Sequence, residues 1–230
     1  MTLRARQEIA LVLAAVAAYE LGRRLIHPDA AAALQHAHAV LRLERTLGVA
    51  WERPVQRAFA PAQPVLGAVY LVAQFVVTGV FFVWLYRRAA EGYVRWRNGF
   101  LVATALALVV HWRFPVAPPR LAGVGIADTL HLGPAASLTD PFAAMPSLHA
   151  AWALGVGVGL CLYARSRAWR FVGAAYPVLV VLATIVTGNH FLLDAVAGGA
   201  VLGAGFRAAG VLRSRSGATL SPATRGGAVR

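Results

Sequence analysis

Six apolar runs, separated by short polar stretches rich in arginine, dominate the pattern of the chain. A helix needs about 20 apolar residues to cross a bilayer, and each run is long enough, or nearly so, to do this. The pattern therefore predicts an all-α polytopic membrane protein with six transmembrane helices. The runs cover approximately residues 8–25, 65–86, 99–117, 148–164, 171–188 and 191–212.

The first run is the weakest, because Glu20, Arg23 and Arg24 shorten its apolar part. Two arginines near the start, followed by the apolar residues 9–18, also fit a signal peptide that is cleaved from the mature protein. The helical pattern continues through Leu21, which favours a retained first helix. Both readings stay open at this point.

Between the first two runs, residues 29–60 predict an amphipathic surface helix. Three leucines alternate there with charged residues, and the pattern ends near Gly48. Residues 213–230, rich in Ser, Gly and Arg, predict a disordered basic tail. The alternating residues of the surface helix are Leu41, Leu43 and Leu47 among Arg42, Glu44 and Arg45.

Composition supports a membrane protein. Hydrophobic residues make up 59% and charged residues 13% of the chain, and the mean hydropathy is +0.62, which is more apolar than an ordinary soluble domain. All 22 basic residues are arginine, and the formal net charge is +13. Because the arginines flank the apolar runs, we expect them to contact membrane lipids and we expect no nucleic-acid partner.

The distribution of arginines also predicts an orientation in the cell membrane. With both termini in the cytoplasm, the arginine-rich stretches that follow the second and fourth runs lie inside. The stretch after the first run carries arginines too and counts against this arrangement. In this orientation, the two polar motifs described next open toward the extracytoplasmic face.

Two short motifs interrupt the apolar sequence: MPSLHA at residues 145–150 and GNHFLLD at residues 188–194. Ionisable groups at membrane depth are costly, so they indicate a function. His190 and Asp194 are spaced i and i+4, which on a helix places both side chains on one face. A carboxylate that accepts a hydrogen bond from the N–H of one imidazole nitrogen leaves the other nitrogen free as a nucleophile or base. With His149 nearby in the other motif, the pattern predicts a catalytic site.

A third element, residues 113–120, contains three prolines and cannot continue a helix. It carries Arg113 and Arg120, and the paired guanidinium donors of Arg120 fit two phosphoryl oxygens. Pro146 followed by Ser147 suits a helix start, where free backbone N–H groups favour an anion. We therefore expect a phosphate-binding site formed by Arg120 and Ser147.

Other readings of these residues are weaker. A zinc site formed by His149, His190 and Asp194 is chemically conceivable, but no His-x-x-x-His or Cys pair supports it, so we expect no metal and no cofactor. A proton-coupled transporter could use the same three residues as a relay, but the chain shows no internal symmetry. We expect His111 to be a hydrogen-bonding residue of the core.

The motifs PSLH at residues 146–149 and His190-x-x-x-Asp194 resemble those of the type 2 phosphatidic acid phosphatase superfamily. The resemblance covers nearly the whole chain and is closest to the branch related to inositol phosphorylceramide synthases. Leu148, where the main group has glycine, and the APPR sequence at residues 117–120 support that branch. The bacterial members are also similar around Glu44, Glu52 and Gln56.

The resemblance implies a role for each site residue. His190 is the nucleophile that forms a phosphohistidine, Asp194 orients it, and His149 protonates the leaving oxygen and later activates the acceptor. Ser147 and Arg120 hold the phosphoryl oxygens. Residues 1–212 then form one six-span catalytic domain ahead of the basic tail.

The chain departs from the main superfamily in one place. Ala183 and Thr184 stand near the position of a Ser-Arg pair, so the phosphate has fewer cationic ligands. This leaves open whether Arg113 or Arg120 is the clamp, and whether water or an alcohol is the acceptor. The resemblance implies a metal-independent lipid phosphatase, with a transferase of a phosphoryl headgroup such as inositol phosphate as the alternative. Gly155-x-x-x-Gly159 and Gly199-x-x-x-Gly203 are compatible with close helix packing and with a homodimer.

Overall fold

The computed structural model describes residues 3–25, 28–129 and 141–218, and the fold of these residues is all-helical. Eight α-helices lie within the described ranges, and short 3-10 turns occupy Ala60–Ala62 and Pro119–Leu121. The helices are α1 Leu3–Leu25, α2 Ala30–Thr46, α3 Glu52–Ala58, α4 Gln63–Arg88, α5 Ala90–Arg113, α6 Leu148–Tyr163, α7 Arg167–Val186 and α8 Leu192–Ala218.

Each predicted apolar run falls on a helix, namely α1, α4, α5, α6, α7 or α8. Among the described residues, three helical stretches are long and apolar enough to cross a membrane: Ala60–Arg88, Arg167–Val186 and Leu192–Arg213. Leu148–Tyr163 is a shorter apolar helix. Helix α5 ends at Arg113, earlier than the predicted limit at residue 117, because Phe114 precedes a proline and leaves the helical conformation.

The region predicted as one surface helix contains two helices, α2 and α3. Helix α2 ends beside Gly48, which adopts a φ of +71°. The N–H groups of Gly48 and Val49 donate to the carbonyls of Arg45 and Glu44, the pattern of a Schellman motif. After this turn, Glu52 at the start of α3 lies close to Glu44.

The buried face of α2 includes an acidic residue. Leu43 and Leu47 are exposed, whereas Glu44, which stands beside Leu43 and Arg45 in the sequence, is fully buried. The buried residues of α2 are Ala33, Ala37, Val40, Leu41 and Glu44.

Helix packing is closest at glycines. A Cβ at Gly157 of α6 would lie 2.4 Å from the carbonyl oxygen of Gly173 of α7, so the two backbones touch. A Cβ at Gly155 would lie 2.4 Å from the ring of Phe100, and one at Gly159 would lie 2.4 Å from the ring of Phe81. The predicted close packing at Gly155 and Gly159 is confirmed.

On α8, close packing uses other glycines than the two predicted. A Cβ at Gly203 would meet no atom within 4 Å, and one at Gly199 would make only an ordinary contact with Leu154. Gly198 faces the start of α6, and a Cβ there would lie 2.3 Å from the carbonyl oxygen of Ser147. Helix α8 itself continues to Ala218, into the segment predicted as a tail, and residues 219–230 of that segment lie outside the described residues.

We expect Gly198→Ala to destabilise the protein, because the added methyl group would collide with backbone rather than with a movable side chain. Overpacking of this kind costs about 1–3 kcal/mol. Gly203→Ala, on the same helix, is the matched control and should be neutral or stabilising, since alanine favours a helix by about 1 kcal/mol over glycine. Thermal unfolding in detergent measures both variants, and equal melting temperatures would contradict the packing argument.

Candidate active site

The start of α6 presents backbone amides. Ser147 is the N-cap, and its Oγ accepts a hydrogen bond of 3.2 Å from the N–H of Ala150. The Ser147 N–H donates to the carbonyl oxygen of Asp194 at 2.9 Å, which joins the starts of α6 and α8. The amides of Leu148 and His149 lie in the first turn, where the helix itself supplies no acceptor. Ser147 thus lies at a helix start, as predicted.

The junction between α7 and α8 places His190. Gly188 has a φ of +68°, and the N–H groups of Gly188 and Asn189 donate to carbonyls in the last turn of α7, in a second Schellman motif. Helix α8 begins only at Leu192. His190 therefore precedes the helix that carries Asp194, and the expectation that both side chains share one helix face is corrected.

The His190 imidazole is held by a backbone carbonyl. Its Nδ1 lies 2.8 Å from the carbonyl oxygen of Ala144 and 3.4 Å from Oδ2 of Asp194. Because a carbonyl oxygen can only accept, Nδ1 carries the proton in the neutral ring, and Nε2 keeps its lone pair. Ala144 fixes the tautomer, a role that the sequence assigned to Asp194 alone. His190 is only 5% exposed.

Asp194 is fully buried and lies in the first turn of α8. Its Oδ2 accepts a hydrogen bond of 2.8 Å from the N–H of Phe191, as an acidic residue does at the third position of a capping box. Asp194 therefore caps α8 and also lies beside the His190 ring. It can stabilise positive charge on that ring as well as fix the loop that carries it.

His149 extends from the first turn of α6 and faces His190. The two ring centroids are 5.6 Å apart, with an angle of 58° between the planes. His149 also stacks on Tyr70 of α4, with centroids 4.2 Å apart and an angle of 22°. No motif marks Tyr70 in the sequence, because it lies within an apolar run and resembles any core tyrosine.

Arg120 is the arginine that the structure brings to this site. Its Nε donates to Oδ1 of Asn189 at 3.0 Å, Nη1 contacts Oδ2 of Asp128 at 2.9 Å, and its backbone N–H donates to the Gly188 carbonyl at 3.0 Å. The side chain is only 9% exposed. Arg113 is exposed, and its guanidinium lies 5.3 Å from the centre of the indole ring of the preceding residue.

Two buried acidic residues from α2 and α3 cap the start of α8. Oε1 of Glu44 accepts from the N–H of Leu193 at 2.8 Å, and Oε1 of Glu52 accepts from the N–H of Leu192 at 3.1 Å. Together with Asp194, they satisfy three consecutive amides. The start of α8 is therefore occupied by carboxylates, and the start of α6 is the one suited to an anion.

Gln56 and His111 hold the loops around the site. The Gln56 side chain bonds to both backbone groups of Ala127 and to the carbonyl of Val186, at 2.9–3.0 Å. Nε2 of His111 lies 3.0 Å from the carbonyl oxygen of Pro146. The prediction that His111 is a hydrogen-bonding core residue is confirmed, and it supports the segment before Ser147.

Within residues 3–25, 28–129 and 141–218, no three His, Cys, Asp or Glu side chains are placed to hold one metal ion together. The two histidines and Asp194 form a chain of contacts rather than a shell around one point. The arrangement suits proton transfer and nucleophilic attack next to an anion-binding helix start.

Comparison with known proteins gives one match. The family model of the PAP2 superfamily matches residues 38–208, a range that contains every residue of the site. Neither a curated protein nor a solved structure matches the chain. Since the match covers most of the chain and includes the two histidines and Asp194, the chain belongs to the PAP2 superfamily, whose function is of the phosphatase or phosphotransferase type.

Proposed function

We propose that this chain is an integral-membrane lipid phosphatase that acts through a phosphohistidine at His190 and needs no metal ion. The observation that carries the proposal is the 2.8 Å hydrogen bond from His190 Nδ1 to the Ala144 carbonyl, which leaves Nε2 unprotonated. A neutral imidazole with a free Nε2 is the form that attacks phosphorus. Membership of the PAP2 superfamily supports the type of reaction.

The transferred phosphoryl group binds at the start of α6 in this proposal. The amides of the first turn and the hydroxyl of Ser147 donate to its oxygens, as does Nη2 of Arg120. The Nε and Nη1 groups of Arg120 are bonded to Asn189 and Asp128, which fixes the guanidinium plane. Donors held in place before the reaction stabilise charge in the transition state without reorganisation.

His149 serves as the acid and then the base. When His190 attacks, the bond from phosphorus to the lipid oxygen breaks, and His149 gives a proton to that oxygen. In the second step, His149 takes a proton from water, whose oxygen attacks the phosphohistidine and releases phosphate and the free His190 ring. The stack on Tyr70 and the 5.6 Å separation from His190 support this role.

A transferase is the second candidate. Here an alcohol such as inositol, or a lipid hydroxyl, replaces water in the second step, and the same residues act. The resemblance of residues 117–120 and of Leu148 to the inositol phosphorylceramide synthase branch favours it. We place hydrolysis first, because the sequence shows no recognisable pocket for an acceptor.

We propose a six-span topology in the cell membrane, formed by α1, α4, α5, α6, α7 and α8. Both termini are cytoplasmic, α2 and α3 lie at the extracytoplasmic surface, and the site opens to that side. The arginine pattern supports this orientation, and the location of His149 and His190 at helix starts agrees with a site near one membrane face. The glycine-rich helix faces are compatible with a homodimer.

We expect His190→Ala to lower turnover of a lipid phosphate by at least about 10³-fold, because the nucleophile is lost. Wild-type protein given labelled substrate should yield an acid-labile, base-stable phosphoprotein, and excess chelator should leave the rate unchanged. His38→Ala, an exposed histidine of α2, is the control and should keep full activity. Turnover or labelling in the His190→Ala protein contradicts the assignment.

We expect Arg120→Lys to lower kcat/KM by on the order of 10²-fold, because lysine cannot reproduce the fixed pair of donors. Arg113→Lys is the matched control, since Arg113 is exposed and stacks on a neighbouring indole, and it should change kcat/KM by less than about twofold. Steady-state kinetics on a lipid phosphate in mixed micelles measures both. A larger loss in the Arg113 variant would reverse the assignment of the clamp.

Competition between acceptors separates the two candidate reactions. For a phosphatase, inositol or other alcohols at high concentration should leave phosphate release nearly constant, because water occupies the second step. For a transferase, phosphate release should be slow without acceptor, and with acceptor it should fall as a new phosphorylated product of that acceptor forms. Thin-layer separation of labelled products gives the answer, and a dominant acceptor-dependent product would replace hydrolysis as the proposed activity.

A further inference from the structure

Glu44 and Glu52 form a buried acidic pair at the start of α8. Glu44 is 0% exposed and Glu52 is 2% exposed, although each comes from a separate, short surface helix. The charged groups that face Glu44 are Glu52 of α3 and Asp194 of α8, both acidic, and His190 faces Asp194 in turn. Three carboxylates thus surround one helix end.

The oxygens of Glu44 are not all satisfied by donors. Oε1 accepts from the N–H of Leu193, but Oε2 is buried, and within the described part of the chain no donor reaches it. The side chain that Glu44 faces is Glu52, which as a carboxylate is itself only an acceptor. A buried acceptor without a donor is costly, and a proton on Oε2 would turn the contact into a hydrogen bond.

Electrostatics agree with a proton at this place. Burial is the largest of the effects that raise the pKa of Glu44 to about 8; the contact with Glu52 and the negative charges of Glu52 and Asp194 act in the same direction, and the hydrogen bond from Leu193 opposes them. At neutral pH, Glu44 therefore keeps its proton. A single negative charge on the pair is favoured by the positive end of the α8 dipole.

We propose that Glu44 and Glu52 share one proton and that this singly charged pair is a positioning device for the catalytic histidine, fixing the first turn of α8. The positioning of the catalytic histidine rests on the proposed function, whereas the shared proton does not. Neither residue touches the reacting atoms, because both act through the amides of Leu192 and Leu193.

The path from the pair to His190 is short. The amides of Leu192 and Leu193 are held by the pair, the amide of Phe191 is held by Asp194, and His190 is the next residue. Loss of the shared proton would place two like charges side by side next to Asp194. The first turn of α8 would then shift, and with it the hydrogen bond between His190 and Ala144.

The first test measures thermal unfolding against pH for the wild type and Glu44→Gln. Glutamine keeps the acceptor for Leu193 and puts an amide donor where the proton is proposed. The pKa of Glu44 is higher in the folded state than in the unfolded state. The proton on Glu44 therefore stabilises the fold fully below pH 4.5, and this stabilisation is lost as the pH rises through about 8. The wild-type melting temperature should fall across this window, whereas that of Glu44→Gln should fall much less.

Glu91→Gln is the matched control for this measurement, because Glu91 is an exposed carboxylate in the first turn of α5. It should keep the wild-type dependence on pH. In addition, the infrared difference spectrum of wild type minus Glu44→Gln at neutral pH should contain the carbonyl stretch of a protonated carboxylic acid. The shared proton would be overturned if the melting temperatures of the wild type and Glu44→Gln depended equally on pH and the difference spectrum contained no such band.

The second test is kinetic. Glu44→Gln should retain activity within a few-fold at neutral pH and should keep kcat above about pH 8, where the wild type loses it. Glu44→Ala leaves a buried amide without its acceptor and should lower kcat by on the order of 10²-fold. KM should change little, because Arg120 and the start of α6 are untouched. If Glu44→Ala does not fold, the pH profile of Glu44→Gln still decides.

The two proposals fail in different ways. If the wild type turns over no lipid phosphate but shows the infrared band and the pH-dependent stability, the proposed function is wrong and the shared proton stands. If it turns over lipid phosphate and its kcat profile matches that of Glu44→Gln at every pH, the positioning role is overturned and the proposed function stands.

Discussion

The candidate active site depends on one hydrogen bond, from the N–H of Ser147 to the carbonyl oxygen of Asp194. This bond holds the starts of α6 and α8 side by side. Gly198 makes it possible, since a Cβ there would lie 2.3 Å from the Ser147 carbonyl oxygen. Two helix N-termini repel each other through their dipoles, so this arrangement needs compensating negative charge. The carboxylates at α8 supply it, and the start of α6 is left to attract an anion.

Because the carboxylates lie at the start of α8 and the free amides at the start of α6, acidic residues can lie close to the proposed phosphate site. A carboxylate at the start of α6 would compete with the substrate, whereas Asp194, Glu44 and Glu52 are directed at the amides of α8. Only Asp194 also contacts His190, through Nδ1, on the edge of the ring away from the proposed attacking nitrogen. In the proposed mechanism, a negative charge on Asp194 therefore stabilises an imidazolium without facing the phosphoryl group directly.

The sequence predicted the all-helical fold, a helix at each apolar run and the helix start at Ser147, because hydrophobic period and proline leave local signals. The division of residues 29–60 into α2 and α3 and the burial of Glu44 were not predicted, since a glutamate among arginines resembles a solvated residue until tertiary packing buries it. The Ala144 carbonyl and the Tyr70 stack carry no signal at all. Any residue can supply a backbone carbonyl, so its sequence does not mark it. A tyrosine in an apolar run shows the same pattern as a tyrosine of the hydrophobic core.

The departure at residues 183 and 184 also acquires a physical reason. Ala183 and Thr184 are both fully buried, and the Thr184 carbonyl accepts the amides of Asn189 and His190. Where the resemblance to the phosphatases leads us to expect a cation, this chain instead completes the turn that carries His190. Under the proposed function, the positive field on the phosphate then comes from Arg120 and the start of α6 alone. A weaker positive field favours substrates with fewer charges on phosphorus, so under the proposed function we expect a phosphodiester to suit this site as well as a monoester does.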